Sequence, residues 1–166
     1  MIRVELGDLA EMPAEAVLRP VAADWSAVTP AMRRLELAAG RALAERCEAL
    51  GELPVGSAVI TDAGELEAEF MIHVAVRSRD EDVSIPTVHR AMQNGLRRAA
   101  EWGIQQLYCA PVGLGAGNLE LEACAEAMTA EILAQAERGE APREVVIVVD
   151  SEVARDVFQA MAGGRP

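Results

Sequence analysis

A three-layer α/β/α domain is the fold class that three features of this sequence predict. Strand-like apolar runs alternate with helix-like segments along nearly the whole chain, the pattern of helices laid over a sheet. The run Glu144 to Val149 is almost continuously β-branched, as expected of a central strand covered on both faces. Between an apolar run, Ile104 to Ala110, and a helical pattern lies Ala110-Pro111-Val112-Gly113-Leu114-Gly115-Ala116-Gly117-Asn118. Its three alternating glycines make a strand-to-helix loop nearly free of side chains.

Each element has a local reason. Ile2 and Val4 alternate with polar neighbours as a first strand, and Glu15 to Val21 reads as a second that ends near Pro20. Thr29-Pro30 is a helix start, a hydroxyl cap followed by proline at the first helical position. Met32, Leu35, Ala39, Leu43, Cys47 and Leu50 then recur every three or four residues up to Gly51, which predicts one continuous helix. Strands follow at Ser57–Thr61 and Phe70–Val76, separated by the Asp62-Ala63-Gly64 turn. A helix is expected from Pro86 to Trp102, closed by Gly103, and another from near Leu119 to Glu137. Asp150-Ser151 can cap a last short helix. Residues 1–162 are read as one domain, and Gly163-Gly164-Arg165-Pro166 as a frayed tail.

Composition narrows the functions. The chain has 166 residues, 51% hydrophobic and 25% charged, enough for a substantial core and not the profile of a disordered segment. The net charge of −12 argues against duplex nucleic acid as a main partner, because that affinity rests on cations that neutralise phosphates. All fifteen positive side chains are arginine, which excludes Schiff-base lysine chemistry and a Walker-type P-loop. No apolar run approaches the roughly 20 residues of a membrane span. Glu5, Asp8 and Glu11 stand where a secretory signal would be apolar, so the expected location is the cytoplasm. Cys47, Cys109 and Cys124 share no metal-ligand spacing and read as reduced apolar residues. Neither His73 nor His89 belongs to a ligand cluster, and no serine has a Gly-x-Ser-x-Gly context, so no metal site, cofactor or hydrolase nucleophile is expected. Trp25 and Trp102 suit either the core or an interface between copies, which leaves a homo-oligomer open.

The glycine loop is the candidate site. Its backbone N–H groups and the positive end of the following helix could receive a phosphate, or the loop could be a tight turn without a ligand. Glu120 and Glu122 favour the helix dipole but oppose a phosphate there. A dinucleotide fingerprint fits poorly, because Asn118 occupies the final glycine position and the loop comes late in the chain.

The order of motifs resembles the macrodomain family, whose members bind ADP-ribose and related nucleotides. Gly7-Asp8-Leu9 is similar to the family's Gly-Asp-Ile, and Leu53 to Leu66 to its Val-Gly-x-Ala-x-x-Thr-x-Gly-x-Leu segment. Met71-Ile72-His73-Val74-Ala75-Val76 resembles its Ile-His-Ala-Val strand, and Gly113 to Leu119 its second phosphate loop. The resemblance spans nearly the whole chain and implies a macrodomain-like fold with a mixed central sheet. It also implies ligand-binding roles: Asp8, followed by Leu9, for the adenine amino group, the backbone of Gly113, Leu114, Gly115, Ala116, Gly117 and Asn118 for phosphate, and Val112, Leu114 and Ala116 for apolar contact.

Departures from the pattern limit what it implies. Arg19 and Ala22 stand where the family has two asparagines, and Val28-Thr29-Pro30-Ala31-Met32-Arg33 stands where it has a glycine-rich first phosphate loop. Alanine offers neither donor nor acceptor, and proline removes an N–H. Arg19, Arg33 and Arg34 either replace the lost donors with guanidinium groups or do other work, Arg19 by pairing with Asp24 or Asp8 to plug the pocket and the other two as a solvated helix face. The expectation is weak binding of ADP-ribose or a related adenine nucleotide, with no catalytic residue. The alternatives are a structural or protein-interaction module with a filled pocket and, third, an ADP-ribosyl hydrolase.

Overall fold

A computed structural model describes residues 1–115 and 118–163 of the chain. Six strands form one sheet: β1 (Ile2–Leu6), β2 (Ala16–Ala22), β3 (Ala58–Asp62), β4 (Phe70–Arg77), β5 (Gln106–Cys109) and β6 (Glu144–Val149). Their spatial order is β1-β6-β5-β2-β4-β3. All neighbours are parallel except β3 and β4, which pair antiparallel. The helices are α1 (Pro30–Ala39), α2 (Arg41–Ala49), α3 (Ile85–Glu101), α4 (Leu121–Glu137) and α5 (Glu152–Ala162), with a 3₁₀ turn at Leu9–Glu11. The result is a mixed sheet in a three-layer α/β/α arrangement, as the residue pattern predicts.

Alternation along the strands assigns side chains to the two layers. On one face Leu18, Ile72 and Val74 press against Gly95 of α3, where an added Cβ would lie 2.7 Å from the Leu18 Cδ1. Contacts of α3 with α4 and of α4 with α5 complete that layer. On the other face Arg19 and His73 point toward α1 and α2, which supply Leu35, Leu43 and Cys47 to the core. Every residue of β6 beyond Glu144 is buried, in keeping with its position inside the sheet.

Two boundaries differ from the sequence-based expectation. Strand β2 continues through Pro20 to Ala22. The Leu18 carbonyl accepts from the Ala110 N–H on the β5 side, so Pro20, two residues on, faces that side where β5 has already ended. Its missing N–H therefore removes no ladder bond. The predicted helix Pro30–Leu50 is broken at Gly40, whose φ is +98°. The carbonyl of Ala39 turns away to accept from the Glu65 N–H at 2.9 Å, so the β3–β4 turn docks into the break. At the other ends Thr29 and Ser151 are the expected caps, and Ser84, which the sequence reading did not single out, caps α3; each accepts an N–H of the first helical turn. Gly163 caps α5, and Gly164, Arg165 and Pro166 of the expected tail lie outside the described residues. Trp25 belongs to the core, whereas Trp102 is exposed and meets Phe70 edge-on at 5.5 Å.

Candidate functional site

Three adjacent parallel strands, β1, β6 and β5, end side by side, and a crevice opens outside their carboxyl ends. This is where open α/β sheets place ligands. The crevice holds a cavity of about 110 Å³. Its floor comes from the strand ends, Gly7, Val149 and Ala110; its walls come from Leu9, Leu114 and the first turn of α1, Thr29 to Met32. Asp8 stands at its edge with Arg34 and Asp150.

Backbone geometry fixes Asp8. The Gly7 N–H donates to the Val149 carbonyl at 2.9 Å, extending the β1–β6 pairing one residue beyond the strand. The Asp8 Oδ1 then accepts the Ala10 N–H at 3.0 Å and caps the 3₁₀ turn. Oδ2 has no hydrogen bond among the described residues. It faces the Arg34 Nε at 3.9 Å, across side chains 32% and 55% exposed, a solvated pair of small energetic weight. Asp8 thus keeps one acceptor lone-pair set for a donor in the cleft.

The glycine loop is built as a structural turn as well as a wall. Gly113 and Gly115 have φ of +100° and +83°, which L-residues rarely adopt. A Cβ at Gly113 would crowd Val88 and Cys124, and one at Gly115 would overlap the Thr29 γ-methyl. The loop between β5 and α4 is therefore in direct contact with the chain entering α1. The Thr29 Oγ1 accepts the Met32 N–H at 3.1 Å, and its carbonyl accepts the Arg33 N–H. Pro30 has no N–H to offer.

The predicted site residues separate on this frame. Asp8, Leu9 and Leu114 meet in the cleft, and Gly113 and Gly115 hold its rim. Val112 is not a contact residue: its side chain is fully buried, and its N–H donates to the Met128 Sδ at 3.1 Å. The Asn118 amide donates to the Val83 carbonyl, tying the loop to the segment before α3. Ala116 and Gly117 lie outside the described residues. Arg34, read as solvated or phosphate-binding, in fact stands beside Asp8. The cleft residues that sequence reasoning missed include Val148, Val149, Asp150 and Ala154. Their only sequence signal is that Asp150-Ser151 ends a parallel strand, the position from which such a crevice is lined.

Arg19 reaches neither the Asp8 cleft nor Asp24 but lies 2% exposed on the α1–α2 side of the sheet. Its Nε donates to the His73 Nδ1 at 2.8 Å. That bond fixes the tautomer, because Nδ1 must accept. The His73 Nε2–H then donates to the Thr61 Oγ1 at 2.8 Å, and Thr61 donates onward to the Asp62 carbonyl at 2.7 Å. Trp25 closes the cluster: its ring meets His73 edge-on at 5.1 Å, and its indole N–H donates to the Gly51 carbonyl. Trp25 has φ +74°, a strained conformation for a bulky residue that only tight surroundings maintain. Burial, and secondarily the Arg19 charge, hold His73 well below the usual imidazole range, while burial lowers the Arg19 guanidinium. The Arg19 Nη1 is buried without a hydrogen-bond partner. This cluster is buried between the sheet and the α1–α2 layer.

Burial pushes the Cys109 thiol up to about 12 and the Cys124 thiol to about 11, and it raises Cys47. Among the described residues, no group of three or more His, Cys, Asp or Glu is placed to hold a metal ion, and no helix is long and apolar enough to cross a membrane.

Comparison with known proteins gives this geometry its context. The family model described as Macro domain matches residues 31–128. An uncharacterized protein of Aeropyrum pernix is 35% identical over 158 residues, covering 93% of this chain and 81% of its own length. Among solved structures, a macrodomain of Oceanobacillus iheyensis with ADP superposes with a TM-score of 0.83 at 17% identity, over 95% of this chain and 87% of that one. A mutant of the same protein with ADPR gives 0.82 at 17% identity, over 95% and 89%. The Trypanosoma brucei macrodomain in complex with ADP gives 0.84 at 14% identity, over 96% and 68%.

Proposed function

The chain belongs to the Macro domain family, and from that membership we propose that it is a weak binding module for ADP-ribose or a related adenine nucleotide, without ADP-ribosyl hydrolase activity. One observation carries the reading. Asp8 stands at the mouth of an apolar crevice at the carboxyl ends of β1, β6 and β5 with its Oδ2 free of hydrogen bonds. An adenine ring suits such a place. Its faces take apolar contact from Leu9, Met32 and Leu114, and its exocyclic amino group donates to Asp8. A carboxylate accepts and never donates when ionised, so it selects a donor at that edge of the base. The solved relatives in complex with ADP and ADPR share the fold and support the ligand class.

Weak affinity follows from what lines the rest of the crevice. At the phosphate-facing chain Pro30 has no N–H to offer, and the Asn118 amide is spent on Val83. Each charge-assisted bond lost is worth about 1.5–3 kcal/mol, or about ten- to a hundredfold in affinity. Hydrolysis needs a group that activates water near the reacting bond. The positions that the family resemblance assigns to that work hold Arg19 and Ala22; Arg19 is engaged by His73, and alanine has no functional group.

Calorimetric titration with adenosine and inosine monophosphates tests the reading, because inosine presents a carbonyl where adenine presents the amino group. The expected dissociation constant for the adenine nucleotide is above about 10 µM, an affinity weaker than about −7 kcal/mol. The inosine form binds at least tenfold more weakly, and Asp8→Ala erases the difference. Equal binding of the two nucleotides by the unmodified protein refutes the role of Asp8.

A further inference from the structure

We infer that the crevice recognises an adenine nucleoside with at most one phosphate, so that the second phosphate and distal ribose of ADP-ribose add no affinity. The inference rests on the adenine-binding reading above and narrows its ligand. Thr29 is the partition. Its methyl lies 2.3 Å from where a Cβ of Gly115 would stand, so that the two loops are in close approach at that point. Thr29 also lines two separate cavities: the Asp8 cleft on one side, and on the other a more open one of about 500 Å³.

Three further observations agree. First, the cleft is small. At about 110 Å³ it has roughly a third of the 300 Å³ at the lower end of drug-sized ligand pockets, which leaves room for part of a mononucleotide and not for a diphosphate-linked pair of sugars. Second, the space beyond Thr29 carries the wrong charge. Asp24, Glu36 and Glu48 line it against the single guanidinium of Arg33, so a pyrophosphate there meets net repulsion. Third, the partition is held from both sides. Its hydroxyl caps α1 at Met32, and the opposing Gly115 has φ +83°, where any larger residue is strained.

The experiment is a calorimetric series of adenosine, AMP, ADP and ADP-ribose against the full chain, repeated on Thr29→Gly. In the unmodified protein the expected dissociation constants of AMP and ADP-ribose agree within threefold. In Thr29→Gly the ratio of ADP-ribose affinity to AMP affinity rises at least tenfold. Glycine is itself an acceptable N-cap; if that variant does not fold, Thr29→Ser retains the capping oxygen, removes only the methyl, and shifts the ratio in the same direction. ADP-ribose binding more than threefold tighter than AMP in the unmodified protein overturns this inference and leaves the adenine reading intact. A ratio unmoved by either substitution overturns the role of Thr29. Failure of every adenine compound to bind overturns the adenine reading, and this inference with it.

Discussion

Acidification from pH 7 to pH 5 should destabilise this protein through His73. The ring is wholly buried, its Nδ1 is occupied by the Arg19 Nε–H, and its Nε2–H is directed to Thr61. A proton could be added only at Nδ1, against an adjacent guanidinium, so the folded-state value falls well below the ordinary 6.5. The sign follows from linkage. A base whose folded value is depressed binds more protons when unfolded, so stability is fully present above about 6.5 and is lost as pH falls below it. At pH 5 the unfolded state gains about 2 kcal/mol from protonating this one imidazole, at about 1.4 kcal/mol per pH unit. Urea unfolding at pH 7, 6 and 5, compared with His73→Asn, isolates this contribution. Asparagine keeps an acceptor for Arg19 and does not titrate. The difference in unfolding free energy between the two should shrink by about 2 kcal/mol from pH 7 to pH 5. Parallel pH dependences would show that His73 takes a proton without unfolding and that its described environment is wrong.

Three other outcomes follow from the packing. Gly64→Ala should cost about 2 kcal/mol or more, read as a lowered urea midpoint, because Gly64 has φ +60° and its Cβ would overlap the Ala39 carbonyl at the α1–α2 break. Asp8→Ala should lose about 0.5–2 kcal/mol of stability through the uncapped 3₁₀ turn, measured by thermal unfolding without ligand; a larger loss would make its binding role inseparable from folding. The three thiols should stay silent to an aromatic disulfide reagent at pH 8 and react together in urea, since all three are buried and Cys109 and Cys124 are pushed to about 12 and 11.

Much of this architecture is legible in the residues because local and tertiary signals agree. The caps at Thr29 and Ser151, the β-branched run of β6 and the apolar stripe of α3 each specify one element by themselves. The break at Gly40 is not legible from the periodicity, because Leu43 and Cys47 keep the same buried face after it. The site was legible only in part. Asp8 and Leu114 follow from motif position, but where a side chain goes on a strand depends on register. Arg19 pairs opposite His73 across β2 and β4, so alternation sends it into the α1–α2 layer and away from the crevice at the strand ends. No local pattern encodes that pairing. The contact of Thr29 with Gly115 joins residues 86 positions apart, and only the assembled sheet brings them together.

The role of the Asp8 crevice is tested most directly by mapping amide chemical-shift changes as AMP is added to ¹⁵N-labelled protein. The expected changes concentrate at Gly7 to Ala10, Ala110 to Leu114 and Val149 to Ser151, and they saturate together. Changes centred instead on Asp24, Ser26 and Arg79, or none at millimolar nucleotide, would contradict an adenine site at Asp8.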